Sequence, residues 1–170
     1  MAHHYLAVRH ITIWFGGGEM ANDVDALLQM WQEQRDQARQ SEDQRAVMTN
    51  IVLVLASAGL GLLAQHGVRD HAMLFVTVSL TLLGGYGAIT SLKYRERYEL
   101  HITEARTMRR RLDAIYPQLH LEEDWHAARA AHRERFGVVY RVRLHYLWTA
   151  LHVAIAMTGL GLTIVIAMQS

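Results

Sequence analysis

The side chains best placed for chemistry are Asn50 and a stripe made by His145, Thr149 and His152, all set within or beside otherwise apolar stretches. Counting from His145, the residues Trp148, Thr149 and His152 fall at offsets of 3, 4 and 7, which is one face of an α-helix. Imidazole titrates near neutral pH, and polar groups in a bilayer face protein or water rather than lipid. The stripe is therefore a candidate pore lining in a symmetric oligomer. The competing reading makes His145 and Trp148 interfacial anchors and has His152 hydrogen-bond a neighbouring helix. Asn50 lies close enough to the end of its apolar stretch to be partly hydrated.

Other chemistries find little support. The chain of 170 residues has no cysteine, so it has no disulfide framework, thiolate metal site or thiol nucleophile. The pairs His126/His132 and His66/His71 lack nearby acids at ligand spacing on one helix face. No His-Glu-x-x-His, phosphate-binding loop or nucleophile elbow occurs. Neither catalytic, cofactor-binding nor metal-binding residues are assigned, and an enzyme is not expected. With 17 basic and 16 acidic residues, the chain does not read as a nucleic-acid binder.

The elements that must position the polar stripe are long apolar helices. Mean hydropathy is close to zero, but this average hides apolar stretches at 46–65, 72–92 and 147–168. Asp, Glu, Lys and Arg are absent from Val47–Gln65, Ala72–Leu92 and Leu144–Ser170. About 20 helical residues cover a hydrocarbon core of about 30 Å, so each stretch is long enough to span it. The expected fold is all-α and integral to a membrane, with three transmembrane helices and long cytoplasmic helical extensions. Twelve Lys and Arg lie in 93–146 and four in 1–45, against Arg69 alone in the turn 66–71. The positive-inside rule then puts the amino-terminal segment and 93–146 in the cytoplasm, and the turn and carboxyl terminus outside. An inner-membrane, multi-pass protein in contact with lipid is the implied setting.

Residues 1–21 read as a flexible or non-native leader, and 22–170 as a single membrane domain. Gly16-Gly17-Gly18-Glu19 before Met20 suggests that translation starts at Met20; amino-terminal sequencing that found His3 or Tyr5 would refute this. Asn22 is a candidate helix N-cap, with Asp23 and Asp25 in the first turn. From there 22–65 reads as one long helix or two in tandem. Span two continues past the membrane as a seam of Tyr94, Tyr98, Ile102, Ala105, Met108, Leu112 and Ile115, spaced by 4, 4, 3, 3, 4 and 3 residues, near a coiled-coil repeat. Pro117 should end it at or near Tyr116. A second helix with an acidic start, Glu122-Glu123-Asp124, then leads into span three, and a bend is expected near Gly137. Together 93–146 form a cytoplasmic helical stalk.

Small residues recur in the spans, where they let helix backbones approach closely. The candidate packing positions are Ser57, Gly61, Gly84, Ala88 and Gly159, for contacts within one subunit or between copies.

The polar helix Trp31-Gln32-Glu33-Gln34-Arg35-Asp36-Gln37-Ala38-Arg39 runs straight into a two-span hairpin, followed by Lys93-Tyr94-Arg95-Glu96-Arg97-Tyr98. Over roughly 22–116 this architecture resembles the SLATT family of small bacterial membrane effectors. The resemblance implies a role in a conflict or antiphage defence system, and assembly into pores that disable the membrane of an infected cell. The third span departs from the basic two-span pattern of that family, and the resemblance assigns no residue a role. The expected function is an oligomeric, pore- or channel-forming inner-membrane effector that answers a cytoplasmic signal or protein partner. The alternative is a non-conducting anchor or adaptor subunit.

Overall fold

The computed structural model describes residues 18–169, with side chains from Asn22 onward. Its long elements are α1 (Gly18–His66), α2 (Met73–Ile115), α3 (Leu121–Arg141) and α4 (Leu144–Met168), with a 3₁₀ turn at Pro117–Leu119. The described residues contain no strand. Three of the helical segments are long and apolar enough to cross a membrane, in accord with the all-α expectation.

Of the two readings of 22–65, one long helix or two in tandem, the structure has the first, a single α1 of 49 residues. Its start corrects the proposed N-cap. Asn22 lies inside the helix, because Glu19, Met20 and Ala21 are all good helix formers and extend it back to Gly18. The leader proposed for 1–21 otherwise lies outside the described residues, as does any structural bearing on a start at Met20.

Helix α2 has 43 residues, a rise of about 65 Å at 1.5 Å per residue. It is twice as long as a span needs and has no proline or mid-helix break. Pro117 ends it as expected: the Tyr116 N–H reaches back to the Leu112 carbonyl and the chain turns off. His120 adopts a left-handed conformation (φ 48°) before α3 begins.

Helix α3 bends at Gly137, where φ 45° and ψ −110° leave the helical region; such a φ is open mainly to glycine. The expected direct passage into span three is interrupted. Val142 and Arg143 are extended, with ψ of 109° and 121°. The β-branched Val138, Val139 and Val142 give this stretch little helical preference of its own.

In the packed arrangement α2 is the centre. It lies against α1 on one side and α4 on the other, while α1 and α4 meet only slightly. The reason is the composition of α2, whose fully buried positions include Thr77, Gly84, Gly87 and Ser91. Small residues there allow a helix on each flank. Buried positions 73, 77, 80, 84, 87 and 91 advance by alternating steps of 4 and 3 residues, and the half-buried Tyr94 and Tyr98 continue that rhythm toward Ala105 and Leu112. On α1, the buried Ala38, Ser41, Arg45, Thr49, Val52, Ala56 and Leu63 keep nearly the same spacing. One coiled-coil-like seam thus joins the apolar and polar halves of the hairpin. It passes from an apolar cluster of Ala56, Leu63, Met73, Leu80 and Ile166 to a polar stalk.

Candidate functional site

The three apolar helices come together around His152. Its side chain is 1% exposed, and Thr49 on α1 is fully buried. Thr49 Oγ1 donates to the Arg45 carbonyl one turn back (2.9 Å) and lies 3.2 Å from His152 Nε2. A hydroxyl has one proton, and that bond to the carbonyl uses it. The imidazole must then carry its hydrogen on Nε2 and donate to Thr49. The opposite ring atom, Nδ1, has no hydrogen-bond partner among the described residues, and it lies 2.4 Å from where a Cβ on Gly87 of α2 would stand. A neutral Nε2–H tautomer satisfies both observations.

The glycines explain how the ring fits. A methyl group at Gly87 would overlap the His152 imidazole, and one at Gly84 would overlap the backbone of Ala156 and the His152 carbonyl. On the other side of the contact, a methyl at Gly159 would come within 2.6 Å of the Thr81 nitrogen and 2.8 Å of the Thr77 carbonyl. The hydroxyls of Thr77 and Thr163, 2.9 Å apart, add a polar tie between α2 and α4. In a setting without water, such contacts hold helices by close packing and short hydrogen bonds.

Of the proposed pore-lining positions, the structure therefore turns His145, Thr149 and His152 toward the other helices of the same chain. Thr149 is half-buried and donates to the His145 carbonyl (3.0 Å). Asn50, next to the buried Thr49, is exposed. This orientation gives His152 a partner in Thr49, whereas Thr149 bonds within its own helix. Among the proposed packing positions, Gly84 and Gly159 are buried at contacts and Ala88 is half-buried, whereas Ser57 and Gly61 lie on an exposed face of α1. A Cβ at Gly61 would meet nothing within 4 Å.

The spacing of small residues did not single out Thr49, Gly87, Thr77 or Thr163. For Thr49 a usable signal was present, because it continues the 3–4 rhythm of Ala38, Ser41 and Arg45. Below His152 on the same seam sit the buried Arg45 and Ser91. Arg45 bonds Glu42 at 3.1 Å, while Ser91 Oγ, His145 Nε2 and Trp148 Nε1 have no partner among the described residues. The apolar helices thus pass into the polar stalk through a buried polar layer.

In the stalk, Gln34 meets His101 (2.6 Å) and Gln37 meets Arg97 (3.4 Å) across α1 and α2. Of the seam predicted there, Leu112 is buried, Tyr94, Tyr98, Ile102 and Met108 are half-buried, and Ile115 is exposed. Ile115 leaves the seam because it is the last residue of α2, where the chain turns away. Burial, followed by the nearby Glu42 charge, pushes the Tyr98 hydroxyl above its usual pKa.

The first turns of α3 attach to the far end of α2. Arg109 Nε donates to Glu122 (2.8 Å), and the Leu121 N–H donates to the Asp113 carboxylate (2.7 Å). The Arg109 hydrogen bond holds the Glu122 carboxyl below its ordinary pKa. The guanidinium carbons of Arg109 and Arg129 lie 4.1 and 4.3 Å from the Trp125 ring centre, close enough for cation–π attraction. A groove of about 170 Å³ opens here, with Trp31, Arg35, Tyr98, Arg106 and Trp125 in its walls.

Among the described residues no group of three His, Cys, Asp or Glu side chains could hold a metal ion. Comparison with protein-family models, curated proteins and solved structures gives no match.

Proposed function

We propose that this chain is an oligomeric inner-membrane effector that forms a pore or channel and permeabilises the membrane in response to a cytoplasmic signal or partner. Its amino-terminal segment and stalk lie in the cytoplasm and its carboxyl terminus outside, following the distribution of basic residues. The observation that carries the reading is the continuity of α2. One helix with one seam runs from Met73 to Leu112, so a change in packing at Tyr98 or Ala105 moves residues beside His152. The signal enters at the stalk groove between α1, α2 and α3. The architectural resemblance to SLATT effectors supports the same reading.

In this account the lumen is built between copies. The three helices form a thin unit with broad exposed faces, and Asn50, Ser57 and Gly61 lie on the exposed side of α1. The purified protein should release ions from liposomes, alone or with the product of a neighbouring gene, and Asn50→Leu should alter the conductance. Liposomes that stay sealed under every condition would remove the reading's main support.

One observation favours the non-conducting anchor or adaptor. His152, an ionisable group within an apolar helix, is consumed by contacts inside the chain. An adaptor would keep its stalk partner when Asn50 is replaced, and would leave ion flux at the level of empty liposomes.

A further inference from the structure

The stretch Arg133–Tyr146, between the stalk and the third apolar helix, exposes apolar and basic groups side by side. No residue of α3 is buried. Val138 and Val139 are 76% and 71% exposed, and Phe136, Val142 and Leu144 are exposed as well. Arg133, Arg135, Arg141 and Arg143 surround them, and Glu134 is the sole acid between 127 and 146.

The helix lengths return this stretch to the level where α4 begins. From Lys93 to Arg109 helix α2 rises about 24 Å, and from Glu122 to Phe136 helix α3 covers about 21 Å. The Arg109–Glu122 bond links those two far ends. At the near end, the Arg95 guanidinium sits 5.7 Å from the Tyr146 ring centre. Between them the chain breaks twice, at Gly137 and at Val142–Arg143, which sets the residues between the two breaks off the axes of the helices on either side.

We infer that Arg133–Tyr146 is an interfacial arm that lies on an anionic cytoplasmic leaflet, its valines and Phe136 in the headgroup–acyl boundary and its arginines on lipid phosphates. This rests on the membrane placement and orientation proposed above. Apolar side chains beside arginines are the pattern of segments that lie in an interface. Anionic lipid attracts a basic residue near the surface by an amount equivalent to roughly fivefold per residue in the docked population. The arm is also continuous with α4, so docking it requires no separate encounter. It fastens the return end of the stalk to the bilayer and limits how far α3 can swing from Arg109.

The chain has no cysteine, so a single Val139→Cys variant of the full chain can carry an environment-sensitive fluorophore. It would be reconstituted in phosphatidylcholine vesicles with and without phosphatidylglycerol. The expected result is quenching by a shallow spin-labelled phospholipid, with shielding from aqueous iodide, when phosphatidylglycerol is present. Replacing Arg133, Arg135, Arg141 and Arg143 by Gln should return the label to iodide. Equal behaviour in both lipids overturns the role of anionic charge. Iodide access in both, or shielding from both quenchers by covering protein, overturns the arm altogether. A label at Leu82→Cys separates the two levels of the proposal. If deep spin-labelled lipid fails to quench it, the membrane placement itself fails; if it is quenched while Val139→Cys is not, the arm alone fails.

Discussion

Thr49 and His152 join two helices that otherwise hardly touch, through Oγ1 and Nε2 atoms 3.2 Å apart. The contact lies where α1, α2 and α4 converge, and it fixes both the tautomer of the histidine and the depth at which α4 sits against the hairpin. Thr49→Val keeps the shape but leaves the Nε2 hydrogen without an acceptor. It should destabilise the fold by about 1–3 kcal/mol, the cost of an unmade buried bond. In a double-mutant cycle with His152→Leu, read by unfolding in detergent, the coupling should be about 0.6–1.7 kcal/mol, the range for hydrogen bonds between membrane helices. Strict additivity would mean that the pair contributes nothing.

Glycine substitutions should divide sharply by position. Gly84→Ala and Gly159→Ala place a methyl group against backbone atoms that cannot give way, and each should cost about 1–3 kcal/mol or more through overpacking. Gly61→Ala, Gly85→Ala and Gly161→Ala meet open space and should leave thermal stability in detergent unchanged. If instead Gly61→Ala abolished oligomers while leaving each subunit folded, its exposed face would be a contact between copies.

The steric reason for Gly87 can be tested by relief. Gly87→Ala collides with the His152 ring, so it should be destabilising alone and much less so when combined with His152→Ala. A penalty that persists in the double variant would place the conflict elsewhere on α4.

Docking of α3 should weaken in acid. The folded Glu122 carboxyl is held below its ordinary value of 4.5 by the Arg109 hydrogen bond. A carboxylate with a depressed pKa contributes stability that is full above the unfolded value and is lost as pH falls through the folded one. The contact is partly solvated, so the contribution is about 0.2–1 kcal/mol. Amide exchange at Leu121–Trp125 should therefore show greater local opening below about pH 4.5 than above it, after correction for intrinsic exchange rates. Glu122→Gln should abolish that pH dependence, and an unchanged profile in the variant would assign it to another group.

The helices themselves were legible because their signals are long and local. Charge-free stretches of span length, the proline at 117 and the glycine at 137 each announce an element or its end. Which faces meet was much less legible. Small residues in the spans named Gly84 and Gly159, which are buried between helices, but they named the exposed Ser57 and Gly61 with equal force, since such a pattern does not say which side of α1 faces α2. The buried seam supplies that information, and it runs through Thr49, Val52 and Ala56. The polar stripe on α4 was visible as a stripe, but Thr49 was not, because a lone threonine in an apolar helix can bond its own backbone and so carries no sign of a partner. Thr49 does this as well, and its second role depends on α4 arriving opposite it. The amino-terminal end of α1 was misplaced for a local reason: a good capping residue, Asn22, is outweighed by the helix formers Glu19, Met20 and Ala21 before it.

Everything functional rests on three helices crossing a bilayer with the stalk inside the cell. Single cysteines at Val68, in the turn between α1 and α2, and at Arg110, in the stalk, can be probed in intact cells with an impermeant maleimide. Val68→Cys should be labelled in intact cells, and Arg110→Cys only after the membrane is opened. Labelling of Arg110→Cys but not Val68→Cys in sealed cells, or recovery of the protein in the soluble fraction, would contradict it.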